Sequence, residues 1–147
     1  LGAPNVIPGR VVMSLEIRDL DAAKIRQVLA GIQAEASRIA EARQTPISIS
    51  DQGLGVEPAP TDERMRRIIA AAATTLGLSH QFMPSGAGHD AQDMSHIAPA
   101  GMIFVPSVGG ISHSPKEYTS AEDMANGANV LLNAVLAIDQ GALGRAR

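Results

Sequence analysis

The 147-residue chain contains no cysteine. That excludes disulfides, thiolate zinc sites and a cysteine nucleophile, so a transition metal would have to be held by histidine and carboxylates. It leaves the redox compartment open, with the cytoplasm as the default. Aromatic residues are almost as scarce, at two Phe, one Tyr and no Trp, while hydrophobic residues still make up 45%. The core is therefore aliphatic and rich in alanine. No apolar run approaches the ~18 residues of a membrane span. Positive charge is not in excess either. Twelve Lys and Arg stand against fifteen Asp and Glu, for a net charge of −3. Such a balance offers no footprint for nucleic acid or an anionic membrane, so neither is an expected partner. No basic-then-apolar leader is visible, and the opening LGAPNVIPG reads as the interior of a longer protein.

What is present divides into two patterned halves. Residues 10–19 alternate, with Val11, Met13, Leu15 and Ile17 on one face and Val12, Ser14, Glu16 and Arg18 on the other. That spacing predicts a half-buried strand. Asp19 or Asp21 then caps a helix in which Ile25, Val28, Leu29, Ile32 and Ile39 recur at helical spacing up to about Arg43. A short second strand is expected over 46–51, PISISD. Strand, helix and strand fit half of an α+β layer. The segment 52–60, QGLGVEPAP, carries two Gly and two Pro and marks a boundary or hinge. We therefore place the first domain at 1–55 and the second at 56–147.

In the second half a helix is expected from Thr61, with Thr61 as its N-cap, Met65, Ile68, Ile69 and Ala72 as its stripe, and Gly77 ending it. A short strand at 79–83 and a buried strand at 100–105, AGMIFV, follow. The last helix starts at Thr119 or Ser120, where Thr119-x-x-Glu122 has capping-box spacing. Met124, Ala128, Leu131, Val135 and Ile138 line one of its faces. The tail GALGRAR is expected to fray. Helix–strand–strand–helix with a continuously apolar strand indicates part of an α/β sheet.

The densest chemistry lies between Ser85 and Glu117, which holds three of the four histidines and two glycine-rich turns. Gly86-Ala87-Gly88-His89-Asp90 lacks the Gly-Lys-Ser/Thr of a nucleotide-binding loop and the spacing of a dinucleotide fingerprint. It could cradle phosphate at a helix N-terminus, or aim the Gly88 amide and His89 imidazole at a substrate oxygen. A turn with an incidental histidine is equally open. His113 follows the apolar strand between Gly109-Gly110 and Pro115, a place where open α/β sheets collect ligands. It is a candidate metal ligand that Glu117 could orient, or simply a polar loop residue. Were 89–96 helical, His89, Asp93 and His96 would share a face, although the glycines and Pro99 oppose a long helix. Asn5 and Arg18 could grip a carboxylate. On residue type alone, a turn Asn and a surface Arg paired with Asp19 or Glu16 serve as well.

Taken together, SGAGHDAQDM, GMIFVPS and GGISHSPKEYTSAED resemble the C-terminal part of the metal-dependent amidohydrolases that include N-carbamoyl-L-amino-acid hydrolase, allantoate amidohydrolase and β-ureidopropionase, relatives of the zinc aminoacylases and carboxypeptidases. The opening NVIPGRVVMSLEIRD is similar to the same family's smaller lid and dimerisation domain. The likeness spans residues 4–139. It implies an α/β fold: part of an α+β lid domain (1–55), then the C-terminal helix–strand–strand–helix portion of a metallohydrolase domain (56–147). It also implies hydrolysis of a linear N-carbamoyl or ureido amide by metal-activated water, in a homodimer with two zinc or manganese ions. By the same resemblance His113 is a metal ligand. Gly88 and His89 bind substrate, His89 as a catalytic group polarising the scissile carbonyl, and Asn5 and Arg18 grip the substrate carboxylate. The family's other metal-binding residues and its general-base Glu have no counterpart here. The resemblance therefore implies a C-terminal fragment that is silent by itself. The alternatives are a non-enzymatic binding or dimerisation module and a fragment of an aminoacylase or peptidase relative.

Overall fold

The computed structural model describes residues 5–51, 55 and 57–144. Chain contacts divide it into two units, Leu1–Gly53 and Leu54–Arg147. The first is built on helix α1 (Ala22–Arg43). Asp21, in extended backbone, caps it by accepting the Ala23 N–H at 2.8 Å. Gln44 closes the other end in the left-handed conformation at φ 49°, its N–H returning to the last carbonyls. Ile25, Leu29 and Ile32 are half-buried, as the spacing predicts, whereas Val28 and Ile39 are exposed.

The second unit holds α2 (Glu63–Thr75), the single turn α3 (Ala91–Met94) and α4 (Ala121–Asp139). Helix α2 packs on α4. Small residues make the seam: Ala72 and Ala73 on α2 meet Val130 and Ala134 on α4, with Ile68, Ile69, Leu78 and Ile103 packed around them. The cap of α2 is Asp62 rather than the expected Thr61. The Asp62 carboxylate accepts from the Arg64 and Met65 amides at 2.7 and 3.2 Å. Thr61 is occupied otherwise, its carbonyl and hydroxyl both accepting from Arg66. At the far end Gly77 takes φ 72° just past Leu76, where only glycine is free of Cβ strain.

Helix α4 starts at Ser120, whose hydroxyl accepts from Asp123 N at 3.0 Å and donates to the Asp123 carboxylate at 2.6 Å. The box is thus Ser120-x-x-Asp123, one residue on from the expected Thr119-x-x-Glu122. The buried face of α4 is corrected with it. Met124, Leu131 and Val135 are exposed, while Val130 and Ala134 are buried. Apolar residues run round most of this helix, so periodicity alone does not choose the face. Close approach to Ala72 and Ala73 favours the side with small side chains.

The expected strands are also corrected. Among the described residues no segment forms a β-ladder, and 10–19, 46–51, 79–83 and 100–105 are irregular. A strand needs a neighbour to receive its N–H and C=O groups. None of these four segments finds one. Val12 and Met13, expected on opposite faces, are both largely exposed. The apolar 100–105 segment is held by helices instead. Asp62 N–H donates to the Ala100 carbonyl at 2.8 Å. A Cβ on Gly101 would stand 3.1 Å from both Met65 Cβ and Ile69 Cδ1, so glycine lets this segment lie against α2.

Gln52, Gly53, Leu54 and Val56 of the predicted hinge lie outside the described residues, as do Arg145, Ala146 and Arg147 of the tail. The described part of the tail does not fray. Gly141, Ala142 and Gly144 make backbone hydrogen bonds, and Arg64 reaches the Leu143 carbonyl at 3.4 Å. No helix among the described residues is long and apolar enough to cross a membrane.

Candidate functional site

In the second unit the 85–98 loop and the 107–118 loop carry the candidate residues on either side of the apolar segment in the chain. Half-buried His89 is the best held of them. Its Nε2 lies 2.7 Å from Ser85 Oγ, and its ring meets Phe104 edge to face with centroids 5.6 Å apart. Its backbone N–H donates to Gln92 Oε1 at 3.1 Å, and its carbonyl accepts the Gln92 N–H at 2.9 Å. Gln92 in turn reaches the Glu57 carbonyl at 3.4 Å. Both the backbone and the ring of His89 are therefore fixed. Ser85, Gln92 and Phe104 were not singled out from the sequence. The four-residue step from Ser85 to His89 across two glycines is the signal that could have shown the first.

The glycines of this loop are not accounted for by packing. An added Cβ would meet nothing within 4 Å at Gly86 and only Gln92 Oε1, at an ordinary 3.6 Å, at Gly88. Neither takes a left-handed φ. The phosphate-cradle alternative loses ground, since α3 is one turn and offers little helix dipole. The shared face of His89, Asp93 and His96 does not form either, because the helix begins after His89.

His113 is exposed and stands at φ 55°, an uncommon backbone conformation for a residue with a side chain. The Glu117 carboxylate accepts its N–H at 2.9 Å. Glu117 thus orients His113 through the backbone, while Gly109 and Gly110, both with positive φ, turn the chain just before. One imidazole is not a metal site. Zinc takes about four ligands, and among the described residues no group of three or more His, Asp or Glu gathers.

Asn5 and Arg18 lie in the first unit, both exposed. Arg18 donates from Nε to Glu16 Oε1 at 2.7 Å, with Nη2 2.6 Å from the same oxygen. An exposed pair of this kind is worth about 0–1 kcal/mol. Two hollows, one lined by Arg38, Ile39, Ala42 and Arg43 and one between Pro60 and Ala100, contain none of the candidate residues.

Residues 4–137 match the pattern of Peptidase family M20/M25/M40. The chain belongs to this family. It is 43% identical over 130 residues to a ureidoglycolate hydrolase of Arabidopsis thaliana, covering 88% of this chain and 27% of that protein. It is also 43% identical over 132 residues to an N-carbamoyl-L-amino-acid amidohydrolase of Rhizobium meliloti, covering 90% and 32%. Among solved structures, it superposes on AtUAH in complex with (S)-hydroxyglycine with a TM-score of 0.72 and 41% identity, over 83% of this chain and 29% of that one. The fold is similar to part of that of the family's amidohydrolases, which generally use divalent metals. The chain spans about a third or less of the length of the relatives it matches.

Proposed function

We propose that this chain supplies one side of the active site of a hydrolase that cleaves the linear N-carbamoyl or ureido amide of a small amino-acid-like substrate. The observation that carries the reading is His89. Ser85, Gln92 and Phe104 fix it in a loop where an added Cβ on Gly86 or Gly88 would meet no close contact among the described residues. Glycine without a steric duty leaves the backbone open to a ligand, and the names of the relatives point to a ureido or carbamoyl group.

In this reading the Gly88 backbone and His89 contact the substrate, with His89 polarising the scissile carbonyl. Asn5 and Arg18 bind the substrate carboxylate. Residues 1–55 belong to a lid and dimerisation domain, and 56–147 to the end of the catalytic domain. His113 is one ligand for zinc or manganese. The described residues do not assemble the others, so the metal chemistry is not assigned to this chain. By itself the chain is then catalytically silent. We take homodimerisation or self-association as part of the reading, and the cytoplasm as its setting by default.

The test is to express the complete reading frame that encodes this chain and assay hydrolysis of N-carbamoyl amino acids. His89→Ala should lower turnover about 10²–10³-fold, the usual loss when one oxyanion donor is removed. Undiminished activity in that variant would refute the role of His89. Robust turnover by the 147-residue chain alone would refute its silence.

A further inference from the structure

Ser85 Oγ has two neighbours among the described residues. It lies 2.7 Å from His89 Nε2 and accepts the Ala87 N–H at 3.3 Å. The hydroxyl has one proton to give, and a neutral imidazole has one nitrogen that donates and one that accepts. Two arrangements fit the contact: Nε2–H donating to Oγ beside the Ala87 amide, or Ser85 O–H donating to a bare Nε2. The 2.7 Å separation is nearer the length of a bond given by a hydroxyl than of one given by an N–H, which favours the second. The imidazole proton then sits on Nδ1, which has no hydrogen-bond partner among the described residues. The ring packs edge to face on Phe104, and Gln92 holds the His89 backbone.

We propose that Ser85 is a positioning residue that holds neutral His89 as the Nδ1–H tautomer, leaving Nδ1–H as the donor for a substrate oxygen. The second half of this statement rests on the function proposed above; the first does not. The chemistry depends on which nitrogen is bare. A developing oxyanion is stabilised by an N–H already aimed at it and repelled by a lone pair. Which nitrogen carries the proton is set by the bond the other one makes. Ser85 therefore decides whether His89 presents a donor or an acceptor.

The experiment is ¹⁵N NMR of the imidazole nitrogens in the 147-residue chain at about pH 8, above the ordinary histidine pKa of about 6.5, with His89 assigned by its loss in H89Q. In the wild type Nδ1 should be protonated and Nε2 bare. Ser85→Ala should shift the tautomer ratio away from Nδ1–H roughly tenfold, equivalent to about 1.4 kcal/mol. Ser85→Thr, which keeps the hydroxyl, should restore it. A role in packing alone would not move the ratio. A proton on Nε2 in the wild type, or a ratio unchanged in Ser85→Ala, overturns the assignment. Should Ser85→Ala fail to fold, the wild-type tautomer and the Ser85→Thr spectrum still decide. The substrate half is read separately, as the turnover of the complete reading frame carrying Ser85→Ala against Ser85→Thr. A Ser85-dependent tautomer with no hydrolysis of N-carbamoyl amino acids by the parent would support the assignment and refute the proposed function.

Discussion

A methyl group placed on Gly127 would stand 2.4 Å from Cγ1 of Val105. This glycine lies inside α4, where it costs about 1 kcal/mol relative to alanine. Its steric reason is the apolar 100–105 segment, which Gly101 seats against α2 in the same way. Two glycines thus let one irregular segment lie close to two helices. The first prediction follows from their opposition to helix propensity. Gly127→Ala should lower stability by about 1 kcal/mol, because overpacking costs about 1–3 kcal/mol and a β-branched valine has no flexible end to swing aside. In a Val105→Ala background the sign should reverse. Urea denaturation of the four proteins in the cycle measures this, and a Gly127→Ala chain more stable than its parent would contradict the contact.

Asp62 gives stability a dependence on pH. Its hydrogen bond with Arg64 holds the carboxyl down at about 2, helped by the Met65 and Arg64 amides. An unfolded aspartate titrates at about 3.9. The folded value is the lower, so the contribution is fully present above about pH 4 and lost as pH falls through about 2. Asp62→Asn should keep most of the cap and flatten this part of the pH profile, while Asp62→Ala should lower the melting temperature at neutral pH as well. Thermal melts of the three proteins between pH 7 and pH 2 check it. An Asn variant as acid-sensitive as its parent would point to other carboxylates.

The start of α4 is decided by one hydroxyl. Ser120→Ala should cost about 1 kcal/mol, the usual loss for a capping serine. Thr119→Ala should change stability by less than about 0.5 kcal/mol. The two are compared by denaturant midpoint, and a larger effect at Thr119 would restore the sequence-based cap.

Self-association should be measurable. Val11, Val12, Met13 and Leu15 are all exposed, as are Leu131, Leu132, Val135 and Leu136 along α4. Exposed apolar side chains in such number favour contact with another surface. Light scattering should show a mass that rises with concentration, and Met13→Lys should reduce it. A monodisperse monomer over the whole concentration range would refute the expectation.

Local patterning places helices α1, α2 and α4 and their capped ends to within a residue, while the single turn α3 is not legible in it. Helical periodicity, an acidic or hydroxyl residue before each helix and a glycine after the second are local signals, and local hydrogen bonds satisfy them. The sequence by itself also determined the family, through the loops around His89 and His113. It did not determine the strands. Alternation in 10–19 and apolarity in 100–105 express a preference that only a neighbouring strand can realise, and among the described residues none does. Only the tertiary structure decided that α4 buries Val130 and Ala134 rather than Leu131 and Val135. Both faces are apolar, and the choice follows from how closely Ala72 and Ala73 let the helices approach. The partners of His89 were settled in the same way. Ser85 and Gln92 are near in sequence, but only the folded loop turns a hydroxyl to Nε2 and brings Phe104 against the ring.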